Sequence, residues 1–130
     1  MTPTMTLLRG PEVCRLTGAS YRMLDYWART GAVVPEVEAR GSGTQRRYTV
    51  DQAIAVRACF ILSHLHAGTD VMRGLSSAMT ARPDLVGQRV IVDDEGAVFD
   101  VSEPGIDGWV IDLAACADWV NGYMALGEHR

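Results

Sequence analysis

The stretch Val13-Cys-Arg-Leu-Thr-Gly-Ala-Ser-Tyr-Arg-Met-Leu-Asp-Tyr-Trp-Ala-Arg-Thr-Gly31 decides the fold of this 130-residue chain. Just upstream, Pro11 suits the first position of a helix, where its missing N–H costs nothing, and Val13 and Leu16 lie three apart on one face. This spacing predicts a short first helix over 11–16. Gly18 is free to take the left-handed turn, Ser20 is a good N-cap, and a second helix is predicted over 21–30, with Gly31 placed to stop it. Helix, tight turn, helix and stop make the helix-turn-helix layout.

The second helix has two faces. Met23, Leu24 and Trp27 face the first helix, while Arg22, Asp25, Tyr26 and Arg29 recur at helical spacing on the other side. The polar face is the candidate reader of DNA. Its plainer reading is a solvated surface on which Asp25 pairs with Arg22 or Arg29. Residues 33–48 have β-branched ends around Gly41-Ser-Gly43 and read as two short strands with a flexible tip, a wing. Arg40, Arg46 and Arg47 flank that tip, where long donors can follow a phosphate backbone.

Thr49 or Asp51 is expected to cap a third helix reaching about residue 67. Its core stripe is Ile54, Ala58, Ile61, Leu62 and Leu65, with Val56, Phe60 and Ser63 to one side. Thr69 is the expected cap of a fourth helix with Val71, Met72, Leu75 and Met79 on one face, ending before Pro83. Polar Ala81-Arg-Pro-Asp84 reads as a linker. Beyond it, 89–93 and 96–101 form a hairpin, 109–112 a third strand, and Asp112 caps a last helix. That helix carries Leu113, Cys116, Ala117, Val120 and Met124 on one face, and Trp119, Tyr123 and Leu126 on another.

Composition supports this division. The net charge of −4 conceals nine arginines against six acids in residues 1–80, and three arginines against ten acids in 81–130. The first part can meet phosphate, and the second is repelled by it. A hydrophobic content of 48% with 22% charged residues is that of a folded globular protein. No apolar run approaches the ~18 residues that span a bilayer. The opening residues have neither a basic lead nor an apolar h-region, so a cytoplasmic location without membrane attachment is expected.

Cys14, Cys59 and Cys116 are widely spaced on apolar patterns and read as small buried hydrophobes. His64 and His66 are two apart, on different helix faces, so no metal site is expected. No nucleophile and base can be paired by motif, so neither an enzyme nor a cofactor is expected.

The quoted stretch, followed by Gln45-Arg-Arg-Tyr48, resembles the MerR family of winged helix-turn-helix regulators. Leu16, Thr17, Gly18, Ser20, Leu24, Tyr26, Gly31, Arg46 and Tyr48 match that family's pattern, and the resemblance covers residues 9–80. It implies that Arg22 is a variable base reader, Tyr26 a phosphate-contacting hydroxyl, Trp27 a core aromatic, Arg46 a wing phosphate contact and Tyr48 the anchor of the wing. Three features depart from the family. Asp25 stands where Arg is common, Ala28 replaces the usual Glu, and no long dimerisation helix or effector pocket is evident.

The resulting expectation is a mainly α (α+β) chain. A winged helix-turn-helix in 1–80 is followed by a small acidic unit of about three strands and one helix in 85–130. The expected function is sequence-specific binding of double-stranded DNA in transcription regulation, through Tyr21, Arg22, Asp25, Tyr26, Arg29, Arg40, Arg46, Arg47 and Tyr48. The acidic unit is expected to form a homodimer through Trp119, Tyr123 and Leu126, or to bind a protein partner, the alternative being that this face packs against Val56 and Phe60 of its own chain. Two other readings stay open: an excisionase-like recombination directionality factor, and an interaction module that has lost DNA binding.

Overall fold

A computed structural model describes residues 6–38 and 45–128. The chain forms α1 (Gly10–Thr17) and α2 (Tyr21–Thr30), preceded by strand β1 (Leu7–Arg9). Strand β2 (Arg47–Thr49) leads into α3 (Val50–His64), which is followed by α4 (Thr69–Ala81). A 3₁₀ turn over Pro83–Gly87 opens onto β3 (Arg89–Val92), β4 (Val98–Asp100), β5 (Trp109–Asp112) and α5 (Leu113–Glu128). Among the described residues, five α-helices and two small antiparallel sheets make this an α+β fold. No helix among the described residues is long and apolar enough to cross a membrane.

The turn between α1 and α2 is built by local hydrogen bonding. The Thr17 hydroxyl donates to the Val13 carbonyl at 2.7 Å and accepts from the Ala19 N–H at 3.2 Å, while Gly18 takes φ 88°. An L side chain is strained at such a φ, so glycine belongs there. Ser20 then caps α2 by accepting from the Met23 N–H at 3.1 Å. Leu24, Trp27 and Ala28 are the buried side of α2, and α1 packs against it.

The expected pair of strands in 33–48 is only half present. β2 is a strand, but β1 is its paired partner, with Leu8 opposite Tyr48, and Val37 touches the other edge of β2 at a single bridge to Arg47. Pro35, with no N–H to donate, interrupts the expected first strand, and Ala32 and Val33 are buried in an irregular segment instead. The tip residues 39–44, Arg40 among them, lie outside the described residues.

Thr49 rather than Asp51 caps α3. Its hydroxyl accepts from the Gln52 N–H at 3.0 Å, and Gln52 Oε1 accepts in return from the Thr49 N–H at 2.9 Å. The same Oε1 accepts from the Glu36 N–H at 3.0 Å, tying the segment before the tip to α3. α3 ends at His64, because His66 takes a left-handed φ of 62°. Leu65, expected in the core stripe, is therefore exposed, and Ile61 is half-buried. Gly68, not Thr69, holds the N-cap position of α4, whose Val71, Met72, Leu75 and Met79 are all buried.

The residues of the expected linker, 81–84, are exposed, but packed structure resumes directly after them. Leu85, two residues past Pro83, is buried, and the 3₁₀ turn packs on both α4 and α5. β3 is central in a sheet of order β4-β3-β5. Asp112 Oδ1 accepts from the Ala115 N–H at 2.9 Å and so caps α5, whose Leu113, Cys116 and Val120 are buried where α5 packs against α3 and α1. One continuous core thus takes in residues from Leu8 to Val120, with members on both sides of the change in charge balance at 81–84.

Two glycines weld the acidic half to α4. A Cβ on Gly74 would lie 2.0 Å from the Gly96 carbonyl oxygen, and one on Gly96 would lie 2.4 Å from that of Asp70. The turn between β3 and β4 therefore rests backbone to backbone on α4.

Candidate nucleic-acid interface

The helix-turn-helix leaves one long side of α2 in solvent. Tyr21 is 66% exposed and Tyr26 47%, and Arg22 and Arg29 are exposed beside them. At about 1.5 Å per residue this helix is about 15 Å long, a length that fits a DNA major groove. Among the described residues, Arg22 forms no ion pair.

Asp25, in the middle of the same face, is taken up by its neighbours. Its Oδ1 accepts from Arg46 Nη1 at 2.7 Å and its Oδ2 from Arg29 Nε at 2.9 Å. These two arginines, Arg46 first, hold the Asp25 carboxyl below the usual carboxylate range. Arg46 Nε also donates to Glu38 Oε1 at 2.6 Å. With its side chain only 20% exposed, Arg46 is a clamp between Asp25 on α2 and Glu38. Both carboxylates push the Arg46 pKa further up, so it stays charged.

Tyr48 is placed differently from the other expected contacts. It is wholly buried, and among the described residues its hydroxyl has no hydrogen-bond partner, so it anchors β2 in the core and does not reach a ligand surface. Burial pushes its phenol up to about 12. Arg47, its neighbour, is half-buried and forms no ion pair among the described residues. The structure thus brings Arg22, Asp25, Tyr26, Arg29 and Arg46 together around α2 and sets Tyr48 behind them.

A profile described as MerR HTH family regulatory protein matches residues 8–64. Residues 8–64 are a MerR-type helix-turn-helix segment. Among curated proteins, an uncharacterized HTH-type transcriptional regulator of Mycobacterium bovis and two of Mycobacterium tuberculosis are each 48% identical to this chain over 50 residues. The match takes in 38% of this chain and 22% of each relative, so it spans about a fifth of the length of those relatives.

Two arginines of the MerR-type segment and its surroundings escaped the sequence reading. Arg57 on α3 donates to the Thr17 carbonyl at 2.9 Å, and its guanidinium lies 3.9 Å from the centre of the Trp119 ring on α5. Arg73 on α4 donates to the Thr30 carbonyl at 2.8 Å. Both contacts join residues more than 39 positions apart, so no local pattern announces them. Strand β1 was missed for the same reason, since its partner is 40 residues downstream.

The cysteines lie inward of this surface. Burial pushes the Cys59 thiol up to about 12 and Cys116 to about 11, and raises Cys14 as well. Among the described residues no three His, Cys, Asp or Glu side chains come together as a metal site would require. A cleft of about 630 Å³ lies between the segment after α2 and α4, with Val33, Glu36, Asp51, Arg73 and Ser77 in its lining.

Proposed function

We propose that this chain is a sequence-specific, double-stranded DNA-binding transcription regulator of winged helix-turn-helix type. α2 enters the major groove, and β2, as the described strand of the wing, lies towards the adjacent backbone. The observation that carries this reading is the open polar side of α2, with Tyr21, Arg22 and Tyr26 in solvent on a MerR-type segment. The relatives described as HTH-type transcriptional regulators support the same use.

The roles divide by what each side chain is free to do. Arg22, exposed and in no ion pair among the described residues, reads a base edge. Tyr21, Tyr26 and Arg29 meet phosphate and sugar, with Arg47 and Arg40 at the wing. Asp25 and Arg46 set the angle between α2 and the wing. Because Arg46 is committed to two carboxylates, counterion release falls to Arg47 and Arg40. Trp119, Tyr123 and Leu126 stay exposed on α5 while its other side is packed, and they form the centre of a homodimer contact that places two copies of α2 on neighbouring half-sites.

The test compares Arg22→Ala with Arg47→Ala in binding titrations on a duplex recovered from a random pool and on a random duplex. Arg22→Ala is expected to cost about 1–3 kcal/mol on the recovered duplex and to relax discrimination at one position. Arg47→Ala is expected to weaken both duplexes alike and to lower the salt slope by about one unit. Equal losses from Arg22→Ala on both duplexes contradict the base-reading role.

A further inference from the structure

We infer that Arg73 is a positioning residue for DNA reading: it holds the C-terminal end of α2 from α4 and thereby couples the reading helix to the acidic half of the chain. The inference rests on the proposed DNA-binding role of α2. Arg73 Nη2 donates to the Thr30 carbonyl, the last residue of α2, at 2.8 Å, and Nη1 donates to Asp70 Oδ1 at 2.8 Å. A helix ends with carbonyls that have no partner inside it and with the negative end of its dipole, so a guanidinium there is doubly favourable. The planar fork of Arg73 offers the two acceptors separate donors in a fixed geometry, whereas an ammonium would have to serve both from a single nitrogen.

The mounting of Arg73 is itself rigid. Asp70, which orients the guanidinium, also presents the carbonyl against which Gly96 rests, and Gly74 beside Arg73 meets the Gly96 backbone with no room for a Cβ. The path therefore runs from the turn between β3 and β4, through Asp70 and Gly74 on α4, to Arg73 and the end of α2. With Arg46 gripping Asp25 at mid-helix, α2 is held at two points by arginines from outside the helix-turn-helix. The Arg73 point fixes how far the C-terminal end of α2 tilts, and hence where Arg22 and Tyr26 fall along a groove.

The test uses the full chain and the variants Arg73→Gln, Arg73→Lys and Arg82→Gln. Arg82 pairs with Asp84, away from α2, and serves as the control for loss of one positive charge. The first readout, amide hydrogen exchange in the last turn of α2 without DNA, is expected to quicken about tenfold in Arg73→Gln, as for loss of a charge-assisted hydrogen bond. Arg73→Lys should recover part of that protection, and Arg82→Gln should match wild type. The second readout is the ratio of affinities for a pool-selected duplex and a random duplex. It should fall about tenfold in Arg73→Gln, with random-duplex affinity within about twofold of Arg82→Gln.

Unchanged exchange in Arg73→Gln overturns the inference. So does an equal loss on both duplexes with a shallower salt dependence, which would make Arg73 a phosphate contact. If wild type binds neither duplex, the DNA-binding reading fails while hydrogen exchange still decides whether Arg73 holds α2. Should Arg73→Gln fail to fold, Arg73→Lys carries both readouts, with intermediate values expected and wild-type values contradicting.

Discussion

Tyr48 shows at the residue scale how a family position divides between contact and support. Its ring is buried and its hydroxyl is unpartnered among the described residues, so the hydroxyl adds little and the ring adds much. Tyr48→Phe is expected to leave stability unchanged or raise it by up to about 1 kcal/mol, and Tyr48→Ala to cost about 3–5 kcal/mol in denaturant titrations. The phenol also sets an alkaline limit. Because burial raises its pKa from 10 to about 12, the folded state binds this proton more tightly than the unfolded state does. Its contribution is complete below pH 10 and is lost as pH rises towards 12. Cys59 and Cys116, raised from 9 to about 12 and about 11, act in the same direction from pH 9 upward. Stability should therefore decline above pH 9, and Tyr48→Phe should lessen the slope between pH 10 and 12. An identical slope in the variant would contradict the burial of this phenol.

At the scale of elements, Gly74 offers a prediction whose sign decides between two effects. In a free helix interior Gly→Ala gains up to about 1 kcal/mol, but here the new Cβ would lie 2.0 Å from the Gly96 carbonyl oxygen. Both sides of that contact are backbone, so relief requires α4 and the turn between β3 and β4 to part. Gly74→Ala is expected to lower stability by about 1–3 kcal/mol, checked by thermal melting, and a stabilised variant would contradict the docking of the turn on α4. This contact lies at the limit of what the sequence discloses. The faces of α1, α2 and α5 followed from spacing, and the caps of α2 and α5 were legible because Ser20, Gly31 and Asp112 act within a few residues of themselves. Leu65 was misplaced because periodicity does not show where a helix stops, and a left-handed residue at His66 stopped this one early, whereas Ile61, inside the helix, packs half-buried against the core. At the candidate site, the exposed polar face of α2 was legible from spacing alone, and the pairing of Asp25 with Arg29 was open to the same reasoning. Its grip on Arg46, and the reach of Arg73 to Thr30, depend on how distant elements pack.

At the scale of the molecule, charge and packing divide the chain differently. The excess of arginine in 1–80 and of acid in 81–130 suggests two units, yet Leu113, Cys116 and Val120 enter the same core as Leu16 and Val56. Removing α5 would expose apolar surface on α1 and α3 at a cost of about 25 cal/mol per Å². A fragment of 1–82 is therefore expected to melt well below the full chain, or without a cooperative transition, in circular dichroism. A melting temperature equal to that of the full chain would show that residues 1–80 form an independent unit. The exposed Trp119, Tyr123 and Leu126 carry a separate prediction. Sedimentation should find a dimer at tens of micromolar that Trp119→Ala with Tyr123→Ala dissociates without unfolding, and a monomeric wild type would reject that contact. The central claim is that the open side of α2 reads DNA sequence, and its most direct test is selection of duplexes bound by the full chain from a random pool. The expected result is enrichment of a recurring short sequence, with Arg22→Ala losing preference at one of its positions. A pool that stays random after repeated rounds, with no retention of duplex at low salt, would contradict the claim.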